Sequence, residues 1–128
     1  MSNPRRAWGR RNHKAGLAAE ETAATLYRER GAEVLARRWR SGRDAGGGEI
    51  DLIVRFPDIL VFVEVKAGRS AAARDAISPA QWLRLEAAAQ AYMVSSQTGD
   101  LPVRFDAVFV GPDGAADVVE NARMSEAW

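Results

Sequence analysis

EIDLIVRFPDILVFVEVK, residues 49–66, carries both an architecture and a chemistry. Glu49–Phe56 and Ile59–Val65 are runs of aliphatic, β-branched and aromatic residues, separated by the turn pair Pro57-Asp58. Such runs predict two strands joined as a hairpin, the second a buried central strand. Side chains alternate along a strand, so Glu64 and Lys66 project to one face at the end of the most apolar run. Ionised groups are seldom buried without partners, and a plain ion pair at the rim of a sheet would account for these two. Asp51 weakens that account. It lies in the preceding strand between Ile50 and Leu52, and hairpin pairing sets it beside Glu64.

Two carboxylates held together repel, and each raises the other's pKa unless a cation lies between them. At about 4 Å and an effective dielectric of ~20 the repulsion is on the order of 4 kcal/mol. A divalent ion reverses its sign, and hard oxygen ligands suit Mg2+ or Mn2+ with waters completing the shell. An ion held this way suits phosphodiester hydrolysis, with Lys66 placed to orient water or to stabilise charge on the phosphate. From the residues alone, a metal site and a buried ion-pair network both remain open.

The flanking sequence predicts the rest of an α/β domain. Strong helix formers run from Ala15 to Arg30, with Leu17, Ala18, Glu21, Ala24 and Tyr27 at helical spacing and Gly31 as the stop. Glu33–Trp39 reads as a strand, and residues 41–48 as a glycine-rich loop. Residues 67–77 form a second loop. Ser78-Pro79 opens a second helix, Ser as N-cap and Pro at the first position, continuing to about Ser95. Val103–Val110 and Ala116–Glu120 complete the strands. The expected order is α-β-β-β-α-β-β: a central mixed sheet flanked by helices, over residues 15–122. A basic flexible leader (1–14) precedes it and a short tail (123–128) follows.

Composition limits the chemistry. There is no cysteine and the single histidine is His13, which removes disulfides, thiolate metal sites and multi-histidine zinc sites. No secretory signal or membrane span is visible, so a cytoplasmic protein without a membrane partner is expected. The net charge of +1 conceals an asymmetry: residues 1–43 hold eleven Lys/Arg against four Asp/Glu, and residues 44–128 hold seven against thirteen. A cationic segment attracts a polyanion, and Arg37, Arg38, Arg40 and Arg43 are candidate phosphate contacts, although a solvated basic face explains them equally. Asp106 reads as structural support for a neighbouring strand.

Gly48-Glu49-Ile50-Asp51-Leu52-Ile53 with Val61-Phe62-Val63-Glu64-Val65-Lys66 resembles the PD-(D/E)XK superfamily of restriction-endonuclease-like nucleases. More narrowly, the chain resembles the bacterial YraN family, which is similar to Holliday-junction resolvases. Gly16 and Glu20 match that family's first-helix motif, with Ala19 in place of a second glycine. Gly31, Arg37–Arg40, Ser78-Pro79, Arg84-Leu85, Arg104-Phe105-Asp106 and Glu120-Asn121-Ala122 also match. The chain departs from the pattern at Gln81 and Trp82, and Ile50 replaces the superfamily's proline. The resemblance implies that Asp51 and Glu64 hold the metal, with Glu20 a further acidic ligand, and that Lys66 is the catalytic lysine. It implies a Mg2+- or Mn2+-dependent endonuclease acting on DNA, branched DNA included, with a homodimer as the expected assembly of a resolvase-like enzyme. Glu49, which shares a strand face with Asp51, and Gln81 are expected beside the site. The rival expectation is a non-catalytic module that binds nucleic acid or protein on the same fold.

Overall fold

A computed structural model describes the backbone of residues 4–42, 48–68 and 77–123, and side chains within those ranges from residue 16 onward. The order is α1 (Pro4–Glu29), β1 (Glu33–Arg40), β2 (Glu49–Phe56), β3 (Ile59–Ala67), α2 (Pro79–Ser96), β4 (Val103–Val110) and β5 (Ala116–Val119). The strands form one mixed sheet in the order β1-β2-β3-β4-β5. Only β3 and β4 run parallel, with α2 as the crossover between them, and the other neighbours pair antiparallel. This is the α/β arrangement the sequence implies.

Alternation along β3 divides the core. Leu60 and Phe62 face α2, where they meet Ile53, Trp82, Leu85, Ala88, Ala89 and Tyr92. Val61 and Val63 face α1 and meet Ala19, Ala23, Ala24 and Tyr27. A strand covered on both sides is apolar along its length, which explains the ILVFV run. The face of α1 that packs is Ala19, Ala23, Ala24 and Tyr27, whereas Ala18 and Glu21 point outward. Alanines let the helix approach the sheet closely, a feature the looser Leu17–Tyr27 periodicity obscures.

Two boundaries differ from expectation by two residues or more. α1 begins at Pro4 rather than near Ala15. Proline favours the first helical position, and the alanine and arginines that follow are good helix formers, so the basic leader from Pro4 continues the helix. β3 continues past Val65 to Ala67, because its parallel pairing with β4 extends to Ala67↔Val110. α2 starts as the sequence predicts: Ser78 is its N-cap, with the Ser78 hydroxyl accepting the Gln81 N–H at 3.1 Å. Residues 1–3 of the leader, 69–76 of the second loop and 124–128 of the tail lie outside the described residues, as do 43–47 of the glycine-rich loop, Arg43 included. Among the described residues no helix is long and apolar enough to cross a membrane.

Asp106 is the best-satisfied polar group of the core. It is fully buried and accepts hydrogen bonds from Tyr27 Oη (2.7 Å), Arg104 Nε (2.8 Å), a second Arg104 nitrogen (3.0 Å) and the Asn121 N–H (3.1 Å). One carboxylate thereby ties α1, β4 and the segment after β5 together. Burial and the Asp106 charge hold the Tyr27 phenol protonated, well above its ordinary range. Asp106 is a structural residue, as its sequence context suggests.

Candidate active site

The β2–β3 ladder ends at Leu52↔Val63. One step further, the same register sets Asp51 against Glu64 at the mouth of the sheet. Regular alternation fails here. Ile50 packs on the α2 side, whereas Leu52, two residues on, packs on the α1 side. The β1 residue facing Asp51 in the register Arg37↔Leu52, Trp39↔Ile50 is Arg38, whose φ of 46° is left-handed. A bulky residue in that region carries strain, and such strain concentrates where a strand must aim side chains for function. With the ladder interrupted, the Val65 N–H donates to Asp51 Oδ2 at 2.8 Å. Asp51 is therefore fixed by the backbone of the strand that carries Glu64.

Glu64 is 6% exposed. Its Oε1 accepts the Gln81 side-chain amide at 2.9 Å and lies 3.3 Å from Lys66 Nζ. Burial, then the neighbouring Asp51 charge, pushes the Glu64 carboxyl up to about 7, against the pull of Lys66. Burial also raises Asp51, and the Glu49 charge adds to it, while the Val65 hydrogen bond works in the opposite sense. Glu20 on α1 is raised by burial and by the Asp51 charge, with Arg38 opposing. The three predicted acidic groups share one electrostatic environment, in which burial and neighbouring negative charge both resist ionisation.

Glu49 stands at the start of β2 and is paired to Arg40, at 3.4 Å. Arg38 pairs with Glu20 at 3.4 Å, and Arg37 with Glu21. The described arginines of β1 read from sequence as phosphate contacts are thus each matched to a glutamate in this structure. Trp82 is buried with its ring edge against Phe105, so it belongs to the core rather than to a surface for nucleic acid.

A pocket of about 270 Å³ opens over the carboxylates, lined by Gly48, Glu49, Asp51, Glu64, Gln81, Arg84 and Leu85. Asp51, Glu64, Glu49 and Gln81 are expected here from the sequence, whereas Arg84, which matches the second-helix pattern, has no expected role. Gly48 explains how Arg84 arrives. A Cβ on Gly48 would lie 2.8 Å from the Arg84 carbonyl oxygen and 3.2 Å from the Ala88 Cβ, so only glycine lets α2 seat this closely on the strand start. The Gly48 carbonyl is held in turn by the Ser41 N–H at 2.9 Å and the Ser41 hydroxyl at 3.2 Å.

Among the described residues no three His, Cys, Asp or Glu side chains converge tightly enough to cage an ion unaided. The donor set fits an open magnesium-type site instead, in which one or two carboxylates hold the ion and water or substrate oxygens complete the shell. Burial is the main cause of the raised pKa at both Asp51 and Glu64, with the Asp51 charge adding to it at Glu64, and a bound cation would work against both shifts.

The molecule is therefore an α/β protein with a carboxylate-lined pocket at the interrupted end of its two central strands, and a lysine paired to one of those carboxylates. The chain belongs to the uncharacterised protein family UPF0102, whose model matches residues 19–110 and so spans Glu20, Asp51, Glu64, Lys66, Gln81 and Arg84. It is 46% identical to a UPF0102 protein of Ruegeria pomeroyi, covering 89% of this chain and 91% of that one. It is 40% identical to a UPF0102 protein of Dinoroseobacter shibae over 97% of this chain and 91% of the relative. A Neisseria gonorrhoeae UPF0102 protein is 33% identical over 88% and 96% of the two chains.

Proposed function

We propose that this protein is a divalent-metal-dependent nuclease of the PD-(D/E)XK type, related to the resolvase-like YraN proteins, that hydrolyses phosphodiester bonds in DNA. The observation that carries the reading is the meeting of Asp51, Glu64 and Lys66: two carboxylates from adjacent strands in a buried setting, with an ammonium 3.3 Å from one of them. A sheet rim needs one ion pair at most; a second carboxylate with a raised pKa is a cost to the fold that a bound cation offsets.

Asp51 and Glu64 would hold Mg2+ or Mn2+, with Glu20 able to join through water. The ion supplies Lewis acidity, easing deprotonation of water and neutralising charge on phosphate. The protein's own groups do the positioning. The Val65 N–H fixes one Asp51 oxygen, and the Gln81 amide fixes one Glu64 oxygen. Lys66, half-buried, turns its ammonium to Glu64 at 3.3 Å, and its remaining donors would serve a phosphate oxygen or the attacking water, where an ammonium stabilises developing negative charge. A cytoplasmic DNA substrate, branched DNA included, is the setting this chemistry suits.

The test is cleavage of linear, flapped and four-way DNA in Mg2+ or Mn2+ by wild type, Asp51→Ala, Glu64→Ala and Lys66→Ala. Loss of cutting in all three variants, with circular dichroism unchanged, supports the reading. Undiminished cutting by folded Asp51→Ala and Glu64→Ala overturns it.

A further inference from the structure

We propose that Arg84 is the phosphate-gripping residue of this site, its guanidinium taking a backbone phosphate of the nucleic acid as it enters the carboxylate pocket. The inference rests on the nuclease reading and adds to it a substrate contact on α2.

Glu49, Asp51 and Glu64 line the pocket, and Glu20 lies close by, so the entrance repels a polyanion unless a cation meets it. The neighbouring cations are already engaged: Arg37 by Glu21, Arg38 by Glu20, Arg40 by Glu49 and Lys66 by Glu64. Arg84 lines the same pocket and, among the described residues, makes no ion pair with any carboxylate. Its charge is open to an incoming anion. Arginine is suited to the task because its planar fork donates two parallel hydrogen bonds to phosphate.

Arg84 follows Gln81 by three residues, so both lie on one face of α2, and Gln81 is anchored on Glu64. The Arg84 backbone is seated where Gly48 has no Cβ, which locks this turn against the strand bearing Glu49 and Asp51. The two contacts hold the turn at both ends. The exposed guanidinium is thus carried on a rigid base at a set distance from the carboxylates, which is what a phosphate-positioning residue requires. A lone solvated arginine would need neither contact.

The experiment measures binding of a fluorescein-labelled four-way DNA junction by anisotropy across a salt series, with Ca2+ as the divalent ion. Wild type is compared with Arg84→Ala, Arg84→Gln and Arg84→Lys. Mn2+ affinity is followed in parallel by calorimetry on the protein alone. Arg84→Ala and Arg84→Gln should bind the junction about tenfold more weakly, with the slope of log K against log salt reduced by about 1. Arg84→Lys should keep the slope and lose part of the affinity, while Mn2+ affinity is undiminished in all three. Wild-type affinity and slope in Arg84→Ala overturns the role of Arg84 and leaves the metal site untouched. Weaker junction binding with an unchanged slope and reduced Mn2+ affinity also overturns it, by making Arg84 a structural support. Failure of the wild type itself to bind the junction overturns this inference together with the DNA reading beneath it.

Discussion

The Gln81 side-chain amide donates to Glu64 Oε1, the same oxygen that Lys66 approaches. Two donors from different elements converge on one atom, so the carboxylate is held from both α2 and β3. Gln81 is itself held by the Ser78 cap, so the geometry of Glu64 depends on how α2 begins.

Gln81→Ala should therefore act on the site and not on the fold. Partners that orient a metal-holding carboxylate contribute about 10–100-fold to metal affinity or activity when removed. A loss of that size in Mn2+ affinity by calorimetry is expected, with the urea midpoint moved little because Gln81 is only half-buried. Unchanged Mn2+ affinity would show that Lys66 alone suffices to orient Glu64.

The raised pKa of Glu64 makes stability depend on pH with a definite sign. The folded protein favours the protonated carboxyl up to about 7, whereas the unfolded chain releases that proton near 4.5. Between those values the native state binds more protons than the unfolded one, so its stability falls as pH rises. A tenfold change in proton affinity corresponds to about 1.4 kcal/mol, which places the effect on the order of 3 kcal/mol in the absence of divalent ions. Glu64→Gln removes the titrating group. Its urea-denaturation profile should be flatter than the wild type's between pH 4.5 and 7, and added Mg2+ should flatten the wild-type profile. Parallel profiles for the two proteins would count against Glu64 as the group responsible.

Asp106 offers a contrast, since its network serves the fold alone. Asp106→Ala strands Arg104 and the Tyr27 hydroxyl in a buried setting, and breaking a buried pair in this way costs about 3–5 kcal/mol. Tyr27→Phe removes only one hydrogen bond to a charged group, worth about 1.5–3 kcal/mol. The order of the two losses in chemical denaturation is the test. Tyr27→Phe, which touches nothing in the pocket, should retain wild-type Mn2+ affinity.

Much of this was legible in the sequence because it is local. The β2 and β4 boundaries follow from apolar runs, and the start of α2 follows from Ser78-Pro79. The pairing of Asp51 with Glu64 follows from a short hairpin turn, which sets register over a few residues. What was not legible depends on contacts distant in sequence. The arginines of β1 look like free cations in the chain, yet Arg37 and Arg38 reach back to Glu21 and Glu20 on α1, and Arg40 reaches across to Glu49. Arg84 matches the family's second-helix pattern, yet nothing around it in the chain points to the carboxylates. Its place at the pocket exists only because α2 lies against Gly48.

That last contact can be tested directly. Gly48→Ala forces a Cβ to within 2.8 Å of the Arg84 carbonyl oxygen, a backbone atom with no flexible end to swing aside. Either α2 or the start of β2 must move. Overpacking of this kind costs about 1–3 kcal/mol, so the variant should fold with a lowered urea midpoint. The displacement should also reach the site, because the turn that moves carries Gln81 and the strand start carries Asp51. Mn2+ affinity should fall in Gly48→Ala by at least as much as in Gln81→Ala. A stability loss with wild-type Mn2+ affinity would show that the strain is absorbed away from the carboxylates, and that α2 does not set their geometry.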